Sequence, residues 1–277
     1  MITDWAQKAI IVLILLNPTT SLANDIYIEQ TGDNLDLDIV QEGQNNQVKP
    51  IGSNGTLNGD DLTLSITQKG DTNLIEGNVN GNNNTGDLRQ TSDDNFQRVS
   101  VVGKNNDIKV YQGTHNDGTI DTDEIGGHEA YWTVYGDNND LGSYQTDTNR
   151  GGGGGDIHHL SNIIEGDSNT VDHTQMGKAG HTGFVEITGD SNTVDLYQRG
   201  NGGQQWADIV LNGDGHTVDA NQRGTMAHSF EVDLTNGGGS YSVTSNQTTN
   251  NTTTSKSYSL TGTCGNTAGC SITVSQN

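Results

Sequence analysis

The 277-residue chain has only two cysteines, 5% aromatic residues, 29% hydrophobic residues, and 12 lysines and arginines against 35 acidic residues. Each shortage excludes something. Cys264 and Cys270 are too widely spaced for a CxxC redox pair, and without further ligands they do not describe a zinc site. Their spacing fits a small disulfide loop suited to an oxidising, extracellular destination, with two free thiols as the alternative. A chain with a formal charge of −23 would be repelled by phosphate, which argues against nucleic acid as a partner. So few apolar residues cannot build a thick globular core, and this composition ordinarily marks disorder.

Long hydrophobic runs are also scarce. The one clear case, "AIIVLILL" from Ala9 to Leu16, is too short to span a bilayer, which needs about 20 residues. Lys8 before it, and Ser21, Leu22 and Ala23 as a small-x-small site after it, read as a secretory signal peptide over residues 1–23. The mature chain then begins near Asn24; a retained anchor or a buried N-terminal helix is the other reading.

What is abundant is repetition. "GDSNTVDHTQ" at 166–175 returns as "GDSNTVDLYQ" at 189–198, and the general rule is a glycine followed nine positions later by a glutamine. The glycines are Gly32, Gly59, Gly81, Gly103, Gly136, Gly166, Gly189, Gly213 and Gly238; their partners are Gln41, Gln68, Gln90, Gln112, Gln145, Gln175, Gln198, Gln222 and Gln247. Nine of 17 glutamines obey the rule, whereas 38 glycines placed at random would supply about two such partners. A degenerate unit over about 251–277 carries Thr267 in place of the glycine and keeps Gln276. Repeats override the disorder reading, because a thin core stacked many times needs few apolar residues per unit.

Side chains on a strand alternate faces, so positions two and four before each glutamine share its side. Leu37 and Ile39, Leu64 and Ile66, Ile108 and Val110, Val194 and Leu196, and Ile272 and Val274 make that side apolar, and Leu141 with Ser143 is a mixed case. Two residues ahead of six of these glycines sit Val79, Val101, Val134, Ile164, Ile187 and Leu211. Each unit therefore reads as a strand of about five residues, a glycine bend, a second strand and a variable bend. The expected fold is all-β: a flattened β-solenoid over 24–277, two strands per coil, about ten coils stacked in parallel at about 4.8 Å.

Stacking explains the polar residues. A buried glutamine amide is costly alone, but in register it donates to the coil beside it and becomes one rung of a ladder. Asn84, Asn106, Asn139, Asn169 and Asn192, each three past its glycine, form a second expected ladder.

These residues resemble the curlin repeats, the secreted amyloid subunits and nucleators of bacterial curli fibres. The family motif Gln-x-Gly-x-x-Asn-x5-Gln is matched in its second half by "VNGNNNTGDLRQ", "VVGKNNDIKVYQ" and "IEGDSNTVDHTQ", while its first glutamine appears only as Gln30. The resemblance covers about residues 26–250. It implies a self-assembling extracellular fibre protein for adhesion or biofilm matrix, with itself or other curlin-like subunits as partners and outer-membrane secretion machinery for export. It does not extend to the family's polar targeting segment, since the first strand follows the cleavage site by two residues. Nor does it cover the insertions around "NDGTIDTDEIGGHEA" and "TDTNRGGGGG", which read either as slack at the variable bend or as binding decorations.

Asp33, Asp60, Asp137, Asp167, Asp190 and Asp214 each follow a bend glycine. In a stack these like charges repel. They read as a solvated edge that discourages aggregation, or alternatively as ligands through which calcium bridges successive coils; no other cofactor is suggested. Among the eight histidines, His158 and His159 face opposite sides of a strand and His173 falls in the inward row, a scatter read as structural. No Ser/His/Asp grouping, phosphate loop or metalloprotease helix is recognisable, so the chain reads as non-enzymatic. The competing reading is a non-polymerising solenoid, a surface adhesin or viral fibre component that binds glycan or receptor through its loops.

Overall fold

The computed structural model describes residues 24–52, 56–113, 126–146, 157–233, 235, 241–249, 255–259, 261 and 270–276. The signal segment, most of both insertions, Gly238, Thr267 and Cys264 lie outside the described residues, as do the side chains of Cys270, Ile272, Val274 and Gln276. The Cys264–Cys270 pairing falls there too.

The described residues form a β-solenoid of two parallel sheets, without a helix. The first sheet has 12 strands; its main path runs from Asp25–Ile26 through Gln47–Pro50, Leu74–Asn80, Phe96–Val102, Glu129–Tyr135, His159–Glu165, Thr182–Glu186, Gln205–Trp206 and His228–Glu231 to Lys256–Ser259. Gln30–Thr31 and Leu57–Asn58 pair beside it. The second sheet has ten strands, from Asp36–Glu42 through Thr63–Lys69, Thr85–Gln90, Asp107–Gln112, Asp140–Thr146, Thr170–Met176, Thr193–Gly200, Thr217–Gly224 and Tyr241–Thr249 to Cys270–Gln276. Strands of the second sheet run six to nine residues, longer than the five expected; the glutamine ends the strand in Thr85–Gln90, Asp107–Gln112 and Cys270–Gln276 and lies inside it in the others.

Register follows the repeat without slip. Each glutamine is aligned with the next, from Gln41↔Gln68 to Gln247↔Gln276. Slipping by one residue would turn every inward side chain to solvent, so the apolar row sets the pairing. Leu37, Ile39, Leu64, Ile66, Ile108, Val110, Val194 and Leu196 are buried, as are Val79, Val101, Val134, Ile164, Ile187 and Leu211 from the facing sheet.

The two sheets fill one another by size. Trp132 of the first sheet is fully buried, and its indole N–H donates to the hydroxyl of Ser143 on the second at 3.2 Å. Here the small residue of the mixed Leu141/Ser143 pair makes room for the largest core side chain. Farther along, Gly183 lies against the ring of His173, which points inward and is fully buried.

Candidate functional site

The polar interior distinguishes this solenoid, and the glutamine column is its centre. The Nε2 of Gln41 donates to Oε1 of Gln68 at 2.7 Å, and the chain of bonds continues through Gln90, Gln112, Gln145, Gln175, Gln198 and Gln222 to Gln247 at 2.9–3.1 Å without a break. The second hydrogen of the amide crosses the interior. Gln90 reaches the Leu74 carbonyl, Gln112 that of Phe96, Gln145 that of Glu129, Gln175 that of His159, Gln198 that of Thr182 and Gln222 that of Trp206, all at 2.8–3.1 Å. In these six the acceptor is 16 residues upstream, while Gln68 and Gln247 reach the carbonyls of Gln47 and Ser229, 21 and 18 upstream, so each of these amides ties its own coil shut while joining it to the next.

At the first bend the glycines meet two demands. Gly32, Gly59, Gly81, Gly103, Gly136 and Gly166 have positive φ, whereas Gly189 does not. Close stacking is the wider reason: a Cβ on Gly136 would lie 2.7 Å from the carbonyl carbon of Gly166, and one on Gly189 would collide with Gly213. Two residues on, Asn34, Asp61, Asn83, Asn105, Asn138, Ser168 and Ser191 take the left-handed conformation, a role suited to short polar side chains.

The asparagine column runs against the glutamine column. Oδ1 of Asn84 accepts the backbone N–H of Asn106 at 3.0 Å, and Asn106, Asn139 and Asn169 accept in the same way from Asn139, Asn169 and Asn192. The last oxygen, on Asn192, receives the N–H of His216 at 2.9 Å. The Nδ2 atoms of Asn84, Asn106, Asn139 and Asn192 return to bend-glycine carbonyls of Gly103, Gly136, Gly166 and Gly213.

The aspartates after the glycines are joined by backbone contacts. Asp60 accepts the N–H of Asp33, Asp137 that of Lys104, Asp167 that of Asp137, Asp190 that of Asp167 and Asp214 that of Asp190, at 2.6–2.9 Å. Asn82 makes the same bond from Asp60 at 3.0 Å. One oxygen of each accepting carboxylate is thereby committed to the protein. No group of three or more His, Cys, Asp or Glu side chains placed to hold a metal occurs among the described residues.

A further column, at the second bend, is invisible in the glycine–glutamine rule. It begins with Asn24, Asn46, Asn73 and Asn95, and continues with His128, His158, His181, Gln205 and His228. Oδ1 of Asn95 accepts the N–H of His128, after which imidazole replaces amide: Nδ1 of His128 accepts the N–H of His158, Nδ1 of His158 that of His181, and Nδ1 of His181 that of Gln205, at 3.1–3.2 Å. An accepting Nδ1 carries no proton, so these rings are neutral with hydrogen on Nε2. Nε2 of His158 faces the Thr146 carbonyl and Nε2 of His181 that of Met176. The rings stack, with centroids 4.8 and 4.9 Å apart. Burial pushes His128 down to about 4, and burial, opposed by the Met176 carbonyl, pushes His181 down to about 4. Burial, and then the neighbouring His128 and His181, holds His158 well below its ordinary value. His159 lies on the other face of its strand, half exposed.

Several buried polar side chains stand outside these columns, Asn162, His173 and Gln97 among them. Neither amide atom of Asn162, between Trp132 and Val185 in the register of the first sheet, has a partner among the described residues, and Nδ1 of His173 is likewise unpaired. The arrangement as a whole closes coils and locks register. No known protein family matches the chain, and neither the curated proteins nor the solved structures contain a match.

Proposed function

We propose that this chain is a secreted structural subunit that stacks end to end into fibres of curli-like amyloid, serving adhesion or a biofilm matrix. The observation that carries this reading is the glutamine column. It runs unbroken into the first coil, where no described residue stacks on the outer side of Gln41, and the last strand keeps Gln276 in register with Gln247. An end of this kind presents unpaired backbone groups and an open ladder rung, a template for another coil. The first and last strands of each sheet are parallel, so a second copy in the same orientation continues both sheets.

The test follows purified protein at micromolar concentration by thioflavin fluorescence and electron microscopy, with and without pre-formed seeds. Seeded fibres lengthening from their ends are expected; a folded β-rich monomer that never elongates overturns the reading.

The second reading, a monomeric adhesin, draws on the outer face of the first sheet, where Tyr135, Ile163 and Trp206 are large exposed side chains. Retention of the unpolymerised protein on glycan or cell surfaces, lost with Trp206→Ala, would favour it.

A further inference from the structure

Strands Leu74–Asn80 and Thr85–Gln90 belong to one coil and face each other across the interior. Both carry a glycine where other coils place a larger side chain. Gly77 stands in register between Pro50 and Val99, in the column that continues to Trp132; Gly86 stands between Leu64 and Ile108, in the column that continues to Leu141. A Cβ on Gly77 would meet nothing within 4 Å, and Leu64 leans over Gly86 so that a Cβ there would lie 2.8 Å from its Cδ2.

The two missing side chains leave a cavity of about 60 Å³, walled by Leu37, Leu64, Ile75, Leu88, Val99 and Ile108. At ~10–15 Å³ per water-sized group it has room for about four to six such groups. Water gains little there, because an apolar cavity offers few hydrogen-bond partners, and such cavities take apolar guests.

The strands of the first sheet are interrupted beside this cavity. The strand Gln47–Pro50 ends and the next, Leu57–Asn58, begins seven residues later, while the first coil splits likewise into Asp25–Ile26 and Gln30–Thr31. Tyr27, Glu29, Lys49 and Thr56 form the rim, with Tyr27 58% exposed. The core is accordingly less sealed here: Leu37 and Leu64 retain 7% and 9% exposure, against 0% for Leu141 and Leu160.

We propose that this cavity is a binding site for the alkyl tail of a small amphiphile, with its polar head at the rim beside Glu29 and Lys49. A chain of about four to six methylenes matches the space, and the exposed rim at Tyr27 leaves the head in water. A ligand polar at its inner end is disfavoured, because a buried hydroxyl without a partner carries a desolvation cost. The proposal is independent of fibre assembly.

The test titrates the full chain, kept monomeric, with 1-hexanol and with 1,6-hexanediol, following heat and nuclear Overhauser contacts from the ligand to the methyl groups of Leu88, Val99 and Ile108. Saturable hexanol binding with those contacts is expected, at least tenfold tighter than for the diol. Gly77→Val fills the cavity and should weaken hexanol at least tenfold with no loss of the unfolding midpoint. Gly142→Val, on the outer face of the second sheet, makes the same chemical change away from the cavity and should leave binding unchanged. Folded wild-type protein that shows no saturable contacts overturns the proposal, as does Gly77→Val binding like the wild type. The contacts alone decide the matter if Gly77→Val fails to fold.

Discussion

Nδ1 of His128 accepts the backbone N–H of His158 at 3.2 Å, and Nδ1 of His158 repeats the bond to His181 at 3.1 Å. Protonating either ring removes the acceptor, leaves two N–H groups facing each other and buries a charge beside stacked neighbours. The structure is therefore built for neutral imidazole at this bend.

Stability should fall with acid on that account. The folded values lie below the ordinary 6.5, so the unfolded chain binds more protons at intermediate pH. The contribution is fully present above about pH 6.5 and is lost progressively as pH falls toward about 4, where His128 protonates in the fold. For His128 alone the difference amounts to roughly 3 kcal/mol. The upstream coils perform the same task with Asn73 and Asn95. Replacing His128, His158 and His181 together by asparagine should flatten the melting temperature between pH 6.5 and 4 relative to wild type. An unchanged slope would assign the acid sensitivity to other groups.

Gly136 is a steric constraint open to direct test. With φ at +141° and the Gly166 carbonyl carbon 2.7 Å from the position of a Cβ, Gly136→Ala forces adjacent bends apart. A loss of about 3 kcal/mol or more is expected in urea, the scale of backbone strain plus overpacking. Gly142→Ala, whose Cβ would come no nearer than 3.8 Å to any atom, should change stability by about 0.5 kcal/mol or less. Equal effects would remove stacking as the reason for the bend glycine.

The parts of this architecture that were legible share a constant distance. Glycine to glutamine is always nine, and the inward rows at Leu64 and Ile66 or Val194 and Leu196 follow from period two. The histidine column was not legible because its residue type changes and its distance from the preceding glutamine drifts: Asn73 is five after Gln68, His181 six after Gln175, Gln205 seven after Gln198. Counted backward from the following glutamine, however, Asn73, Asn95, His128, His158, His181 and Gln205 all stand 17 before Gln90, Gln112, Gln145, Gln175, Gln198 and Gln222. The two long insertions fall between a glutamine and the next member of this column, so the backward count holds for these six, whereas Asn46 and His228 stand 22 and 19 before Gln68 and Gln247. The aspartates read as a solvated edge or as calcium ligands, and not as backbone acceptors, because their bond to a neighbouring backbone N–H depends on bend geometry. The cavity at Gly77 and Gly86 was hidden for a related reason, as register across two sheets decides which absences coincide.

The ladder can be probed by position. Gln145→Leu leaves Oε1 of Gln175 without its donor and interrupts the column from Gln112, and two disrupted buried polar groups correspond to about 2–4 kcal/mol. Gln41→Leu removes a terminal rung at the more exposed end and should cost about 1 kcal/mol. Urea midpoints that fell equally for both would mean that the interior column adds nothing beyond local burial.

Charge at the first bend sets the last expectation. Asp137, Asp167, Asp190 and Asp214 occupy successive coils, and each uses one oxygen to hold the N–H of its neighbour. Asn82 makes the equivalent bond without charge. Asp167→Asn and Asp190→Asn therefore keep the hydrogen bond and relieve repulsion, and each should stabilise the solenoid by about 0.5 kcal/mol at low ionic strength. At 0.15 M salt, with a Debye length of about 8 Å, most of that gain should vanish. If calcium instead bridges these carboxylates, millimolar calcium raises the wild-type midpoint, chelator reverses it, and the asparagine variants lose the response. Loss of stability in both variants without calcium would mean that repulsion is the weaker influence, outweighed by the carboxylate's stronger acceptance of the backbone N–H.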